Sequence, residues 1–237
     1  MPDVRFARFL KSAAAAVDTF GVVPRRAKRS NPTDANPDPP APPPPPAGHV
    51  TLVRDAEHLE RVIFGGVLAA RVSIDIMTAN FKMVTLPRRD AAGRLRGRGR
   101  GESIVHPLAR LARKGVDVRI LFADRLSDYA KAELRRADPP ANFEIRACPR
   151  LHSKAFVIDN ESMYLGSANL TGAGIGAKSD CKRNFETGIW TEDADLIDPV
   201  MDQFNALWEG DACTGCGRRS LCPQPLIELR PPRRKSA

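Results

Sequence analysis

Eight of the ten residues from Pro37 to Pro46 are proline, and neither a sheet ladder nor a helix interior can run through such a stretch. Each ring removes a backbone donor and fixes φ, so the tract reads as a stiff polyproline II spacer. The chain is thereby divided into a basic, mostly disordered arm at 1–36, a proline-rich linker at 37–47, and a remainder long enough to build a core of its own. Within the arm, Phe6, Phe9, Leu10, Ala14, Val17 and Phe20 follow an approximate helical period. That is enough for a short amphipathic helix, though not for one stable alone.

Beyond the linker, strand-like and helix-like segments alternate. Strands are predicted at 50–54, 72–81, 116–122, 142–147, 153–159, 162–166 and 185–191, and helices at 56–70, 103–114, 126–136 and 195–208. The last helix presents Leu196, Val200, Phe204 and Leu207 on one face. This alternation predicts an α/β fold, a mixed sheet flanked by helices on both faces, over 48–211. A cysteine-containing basic tail follows at 212–237.

The net charge of +9 is unevenly placed. Residues 1–30 carry seven Lys/Arg against Asp3 and Asp18, and residues 212–237 carry six against Glu228, whereas 48–211 is nearly neutral. Even there, Lys82, Arg88, Arg89, Arg94, Arg96, Arg98 and Arg100 face only Asp90 between 82 and 101. Positive arms and one Arg/Gly loop suit a long polyanion, nucleic acid before an acidic membrane surface. With only ten Phe, two Trp and two Tyr, few exposed aromatics are expected and base stacking should contribute little. A membrane-spanning helix is not expected, because the longest uncharged apolar stretch, Val62–Ala70, is nine residues against the roughly 20 required. The Ala13–Val17 run is too short for a secretory signal and is broken by Asp18, so the expected location is the cytoplasm.

The chemistry is concentrated between His152 and Asn169. The spacing is His152-x-Lys154, four residues, Asp159, six residues, then Gly166-Ser167-x-Asn169. Six fixed positions make chance agreement on the order of 10⁻⁸ per start site. On a strand, His152 and Lys154 project to one face, so an imidazole and an ammonium can converge on one phosphate. Gly166 lets backbone approach an anion, and Ser167 and Asn169 supply neutral donors. Asp159 is read as bracing the motif's own turn.

This segment resembles the HKD signature of the phospholipase D superfamily, with family-specific residues confined to 151–186. The resemblance implies a metal-independent phosphodiesterase with a phosphohistidine intermediate, in which two HKD motifs make one active site. His49, His58 and His106 lack a following Lys at the required spacing, so it also implies a homodimer, as in single-motif bacterial nucleases. Glu186 stands where relatives carry an acid that orients the partner histidine; a carboxylate on the far ring nitrogen fixes the tautomer. The implied catalytic set is His152, Lys154, Ser167, Asn169 and Glu186.

Nuclease activity leads on charge. Phospholipid or cardiolipin hydrolysis, or transfer, is the runner-up, and a catalytically silent nucleic-acid-binding subunit is the third reading.

Five cysteines, an odd number, argue against a disulfide framework. Cys213-x2-Cys216 forms a knuckle-like turn and Cys222 follows after five residues. With Cys181 preferred over Cys148 as fourth ligand, this set predicts a structural zinc, with an iron–sulfur cluster or a redox pair as alternatives. The cysteine-rich ending is similar to that of single-HKD proteins in bacterial DNA-modification and anti-phage gene clusters.

Overall fold

The computed structural model describes residues 48–87, 101–123 and 125–223. The N-terminal arm, the proline tract, the Arg/Gly loop at 88–100 and the end of the tail lie outside the described residues.

Seven strands form one mixed sheet. They are β1 (Val50–Arg54), β2 (Ser73–Thr78), β5 (Asp117–Phe122), β6 (Phe143–Ala147), β7 (Ala155–Ile158), β8 (Ser162–Gly166) and β9 (Thr187–Thr191), in the spatial order β1-β9-β8-β7-β2-β5-β6. The strands β2, β5 and β6 run parallel, while β7, β8, β9 and β1 are joined antiparallel to each other and to β2. A two-stranded ribbon of β3 (Thr85–Leu86) and β4 (Glu102–Ser103) stands apart. The ends of the Arg/Gly loop are therefore held together at the base of a hairpin.

Alternation along the strands assigns residues to two apolar layers. Ile74, Ile76, Val118, Ile120, Phe156, Ile158 and Tyr164 face the layer shared with α1 (Val105–Arg113) and the helical turn His58–Phe64. Met77, Leu121, Ala155, Val157 and Met163 face α3 (Ala194–Glu209) on the other side. The predicted sheet covered on both faces is thus the observed one. Between them in sequence, α2 (Asp128–Ala137) starts at Ser127, whose hydroxyl accepts from the Ala130 N–H at 3.2 Å.

Several predicted boundaries shift. The helix predicted at 56–70 is a π-helical turn at His58–Phe64 and a 3₁₀ turn at Val67–Ala69. Gly65 and Gly66 interrupt it, and a Cβ on Gly66 would stand 2.6 Å from the Trp190 ring, so close packing replaces helical continuity. The strand predicted at 72–81 stops at Thr78, whose hydroxyl donates to Asn80 O at 2.8 Å and turns the chain. Helix α3 buries Ile197, Phe204 and Trp208, with Val200, Met201 and Leu207 partly covered, while the predicted face residue Leu196 is exposed. Arg119 packs against the C-terminal half of this helix. Its guanidinium bonds buried Asp75 at 2.6 Å and lies over the Phe204 and Trp208 rings, 4.8 and 5.6 Å from their centroids. Burial holds the Asp75 carboxyl above the usual carboxylate range, against the opposing pull of Arg119.

Candidate active site

The strand β7 begins at Ala155, two residues later than the predicted start, because His152 and Lys154 precede the regular pairing. The ladder is nevertheless continued by the Gly166 N–H, which donates to Lys154 O at 3.1 Å. This bond sets the end of β7 beside the end of β8. Lys154 Nζ reaches back to His152, 2.7 Å from its carbonyl oxygen and 3.3 Å from Nδ1. The imidazole and ammonium are therefore on one side of the strand end, as the two-residue spacing predicts. An ammonium only donates, so in this pairing Nδ1 is the accepting nitrogen and a neutral ring carries its proton on Nε2.

At the opposite end of the same hairpin, Asp159 and Asn160 have φ of 55° and 56°, and Glu161 N–H closes the turn on Ile158 O at 3.0 Å. Two central residues at positive φ make the type I′ turn that suits the twist of a two-residue hairpin. The Asp159 carboxylate also accepts from the backbone N–H groups of Arg71, Val72 and Ser73 at 2.7–3.0 Å, at the entrance to β2. These contacts tie the β7–β8 turn to the entrance of β2.

The loop after β8 is held from behind. Tyr164, fully buried, accepts from the Ala168 N–H at 3.1 Å and lies 2.9 Å from His58 Nε2. His58 Nδ1 is 2.9 Å from Asp55 O. Only an N–H can satisfy that carbonyl, so the proton sits on Nδ1 and Nε2 accepts the Tyr164 hydroxyl. Burial pushes the Tyr164 phenol up to about 12. Gly166 and Gly188 face each other across β8 and β9, and a Cβ on either would strike the Tyr164 side chain. Glycine at 166 thus leaves room for this tyrosine and for the Thr187–Gly188 backbone.

Asn169 is fixed through its oxygen, which accepts from the Asn80 N–H at 2.9 Å and stands 3.3 Å from the Thr78 hydroxyl. Thr78 Oγ1 in turn accepts from the Leu170 N–H at 2.9 Å. With the oxygen occupied, the amide NH₂ is the end left to donate. Ser167 donates its hydroxyl to Glu186 and accepts from the Thr187 N–H at 3.0 Å. The other Glu186 oxygen accepts from Asn184 Nδ2 at 2.9 Å, and the Glu186 N–H donates to Asp55 at 3.1 Å. Among the described residues Glu186 touches no histidine of its own chain.

Sequence reasoning missed the supporting shell of His58, Tyr164, Thr78, Asn80 and Asn184. Tyr164 alone carried a signal, as an inward position of an alternating strand whose hydroxyl needs a partner.

A groove of about 480 Å³ leads away from Asn169. Its walls include Asn80, Lys82, Thr85, Lys178 and Asn184, and neither lysine makes an ion pair among the described residues. Lys82 is thus the one predicted nucleic-acid contact that the structure describes; Arg88, Arg89, Arg94, Arg96, Arg98 and Arg100 lie outside the described residues. Few aromatics are exposed among the described residues, as expected; Phe185, next to Glu186, is one of them, at 96%. It is exposed because both of its neighbours turn inward to their carboxylate and amide contacts.

Of the predicted metal ligands, Cys213, Cys216 and Cys222 line one cavity together with Cys148, and Cys181 is not among its walls. Cys181 lies in an exposed turn, 3.6 Å from Ser179 Oγ. Among the described residues no three His, Cys, Asp or Glu side chains stand close enough to hold a metal ion as they are placed, and no helix is long and apolar enough to cross a membrane.

No curated protein matches the chain. Among solved structures, Nuc from Salmonella typhimurium, a phospholipase D family member, is 19% identical with a TM-score of 0.48, over 68% of this chain and 95% of its own. NucT from Helicobacter pylori is 17% identical with a TM-score of 0.47, over 68% and 96%. Phosphatidylserine synthase from Haemophilus influenzae Rd KW20 is 17% identical with a TM-score of 0.47, over 66% and 36%. The family model described as cardiolipin synthase, PLD-like domain, matches residues 68–208. That match spans more than half of the sequence, and the chain belongs to this PLD-like family.

Proposed function

We propose that this chain is a metal-independent phosphodiesterase acting on nucleic acid, with one active site built by two copies. The observation that carries the reading is the pairing of His152 with Lys154 at 3.3 Å, at the sheet end where the Ser167–Asn169 loop also lies. A ring nitrogen of His152 attacks phosphorus, forming a P–N bond as the P–O bond to the leaving oxygen breaks. His152 of the second copy gives its proton to that oxygen, then takes one from the water that cleaves the P–N bond. Before attack, the nucleophilic ring must place its proton on the nitrogen that does not attack, and the second copy's Glu186 is the carboxylate suited to hold it there. Lys154 and the fixed NH₂ of Asn169, with their symmetry mates, stabilise the charge that develops on the phosphoryl oxygens.

Three features support nucleic acid over a lipid headgroup. The groove beside Asn169 carries Lys82 and Lys178, suited to phosphates on either side of the one being cut. The β3–β4 hairpin brings the ends of a segment with six arginines to the same region. Phe185 offers an exposed ring on which a base can stack.

The test is a digestion panel of DNA, RNA and phosphatidyl vesicles with EDTA added at the start of the assay. Cutting of nucleic acid, lost in His152→Ala with binding retained, is the expected result. Lipid turnover without nucleic-acid cutting, or salt-sensitive DNA binding without turnover by the wild type, would overturn it.

A further inference from the structure

Four of the five cysteines line one cavity of about 240 Å³. It lies where the end of β6 and the loop leading to His152 meet the turns after α3. Two of its walls are tight turns. Leu151 N–H bonds Cys148 O at 2.9 Å, and Cys216 N–H bonds Cys213 O at 3.2 Å, with Gly215 at φ 70° inside the second. Cys222 follows a single 3₁₀ turn at Arg219–Leu221. None of the four is fully buried, although Cys148 packs in part against the apolar layer of Met77, Leu121 and Phe204.

We infer that Cys148, Cys213, Cys216 and Cys222 are the ligands of a structural zinc ion that fastens residues 211–222 to the loop carrying His152. The inference replaces the predicted fourth ligand, Cys181, with Cys148, and it stands independently of the phosphodiesterase reading.

Charge supports this choice of ligand. A dication held by four thiolates has a net charge of two negatives, and Arg146, Arg150 and Arg218 line the same cavity while no carboxylate does among the described residues. Zn–S bonds of about 2.3 Å would require the four sulfurs to close on one point of this cavity. The two segments are already cross-tied in both directions. Arg150 Nη1 donates to Ala212 O and Arg218 Nη1 donates to Pro149 O, each at 3.4 Å. Bonds to zinc would convert these weak ties into a clamp four residues before His152.

The experiment is metal analysis of the full chain, purified reduced and without chelator, followed by exchange with cobalt(II). About one zinc per chain is expected, with a thiolate-to-cobalt charge-transfer band and tetrahedral ligand-field bands after exchange. Cys148→Ser should lose most of the metal, Cys181→Ser should keep it, and Cys148→His should restore it because imidazole can take the fourth position. That last variant separates lost ligation from lost folding. A reduced chain that takes up neither zinc nor cobalt would overturn the inference. So would full zinc in Cys148→Ser, loss of zinc in Cys181→Ser, or iron in place of zinc.

Discussion

The two halves of the candidate site are held in different ways. Ser167 and Asn169 sit on a loop supported from behind by Asp55, His58, Tyr164 and Thr78, every bond made through a buried or part-buried partner. His152 is exposed, and the contact that orients its ring within the chain is the one with Lys154, itself part-exposed. The donor half is thus preorganised by the fold of one subunit. The nucleophile half depends on what borders it, the cysteine-lined cavity on one side and, in the proposed assembly, a second copy on the other.

Substitutions can break this contrast. The largest effect on turnover is expected from His152→Ala, a loss of at least about 10³-fold in kcat. Its stability should stay within about 0.5 kcal/mol of wild type by denaturant unfolding, because nothing buried is left unpaired. Asp159→Ala reverses the pattern. Removing the acceptor of three backbone N–H groups and placing alanine at positive φ should cost about 3 kcal/mol of stability, with residual activity following the folded fraction.

Tyr164→Phe lies between them. It strands the Ala168 N–H and should cost about 1–3 kcal/mol, with a smaller loss of kcat than His152→Ala. It also has a signature in pH. The folded chain keeps the Tyr164 proton up to about 12, against 10.0 for an ordinary tyrosine. Its contribution to stability is therefore complete below pH 10 and is lost as pH rises through 12. Unfolding measured over that window should decline less steeply in Tyr164→Phe than in wild type.

The remaining effects fall on nucleic-acid binding rather than on turnover or folding. Replacing both Lys82 and Lys178 with Gln should leave cleavage of a small diester unchanged while lowering the salt dependence of single-strand binding by about 0.7 per lysine. Phe185→Ala should weaken single-strand binding by about 1–3 kcal/mol without altering that slope.

The alternation of strands and helices made the sheet and its two apolar layers legible, because β2, β5 and β7 are short, nearly continuous buried runs of the kind a sheet covered on both faces requires. The two-residue spacing of the motif is likewise reflected in His152 standing beside Lys154. What stayed hidden depends on contacts between distant segments. His58 carries no local mark of its bond to Tyr164, 106 residues away. The close approach of Gly166 to that same tyrosine, and the ion pair of Arg119 with Asp75 beside the Phe204 and Trp208 rings, likewise join residues far apart in sequence. Cysteine spacing led to Cys181 as the companion of Cys213, Cys216 and Cys222, whereas Cys148 is the one that lines a cavity with them, because which loop faces the tail is not written locally.

The most direct test of a site shared between two copies is to mix wild-type and His152→Ala chains in equal amounts, unfold and refold them together, and measure nuclease activity per total chain. If both histidines are needed at one phosphorus, activity falls to about one quarter of the wild-type value, the share of pairs with two intact rings. A fall to about one half would mean that each chain cleaves with its own histidine and would contradict the account.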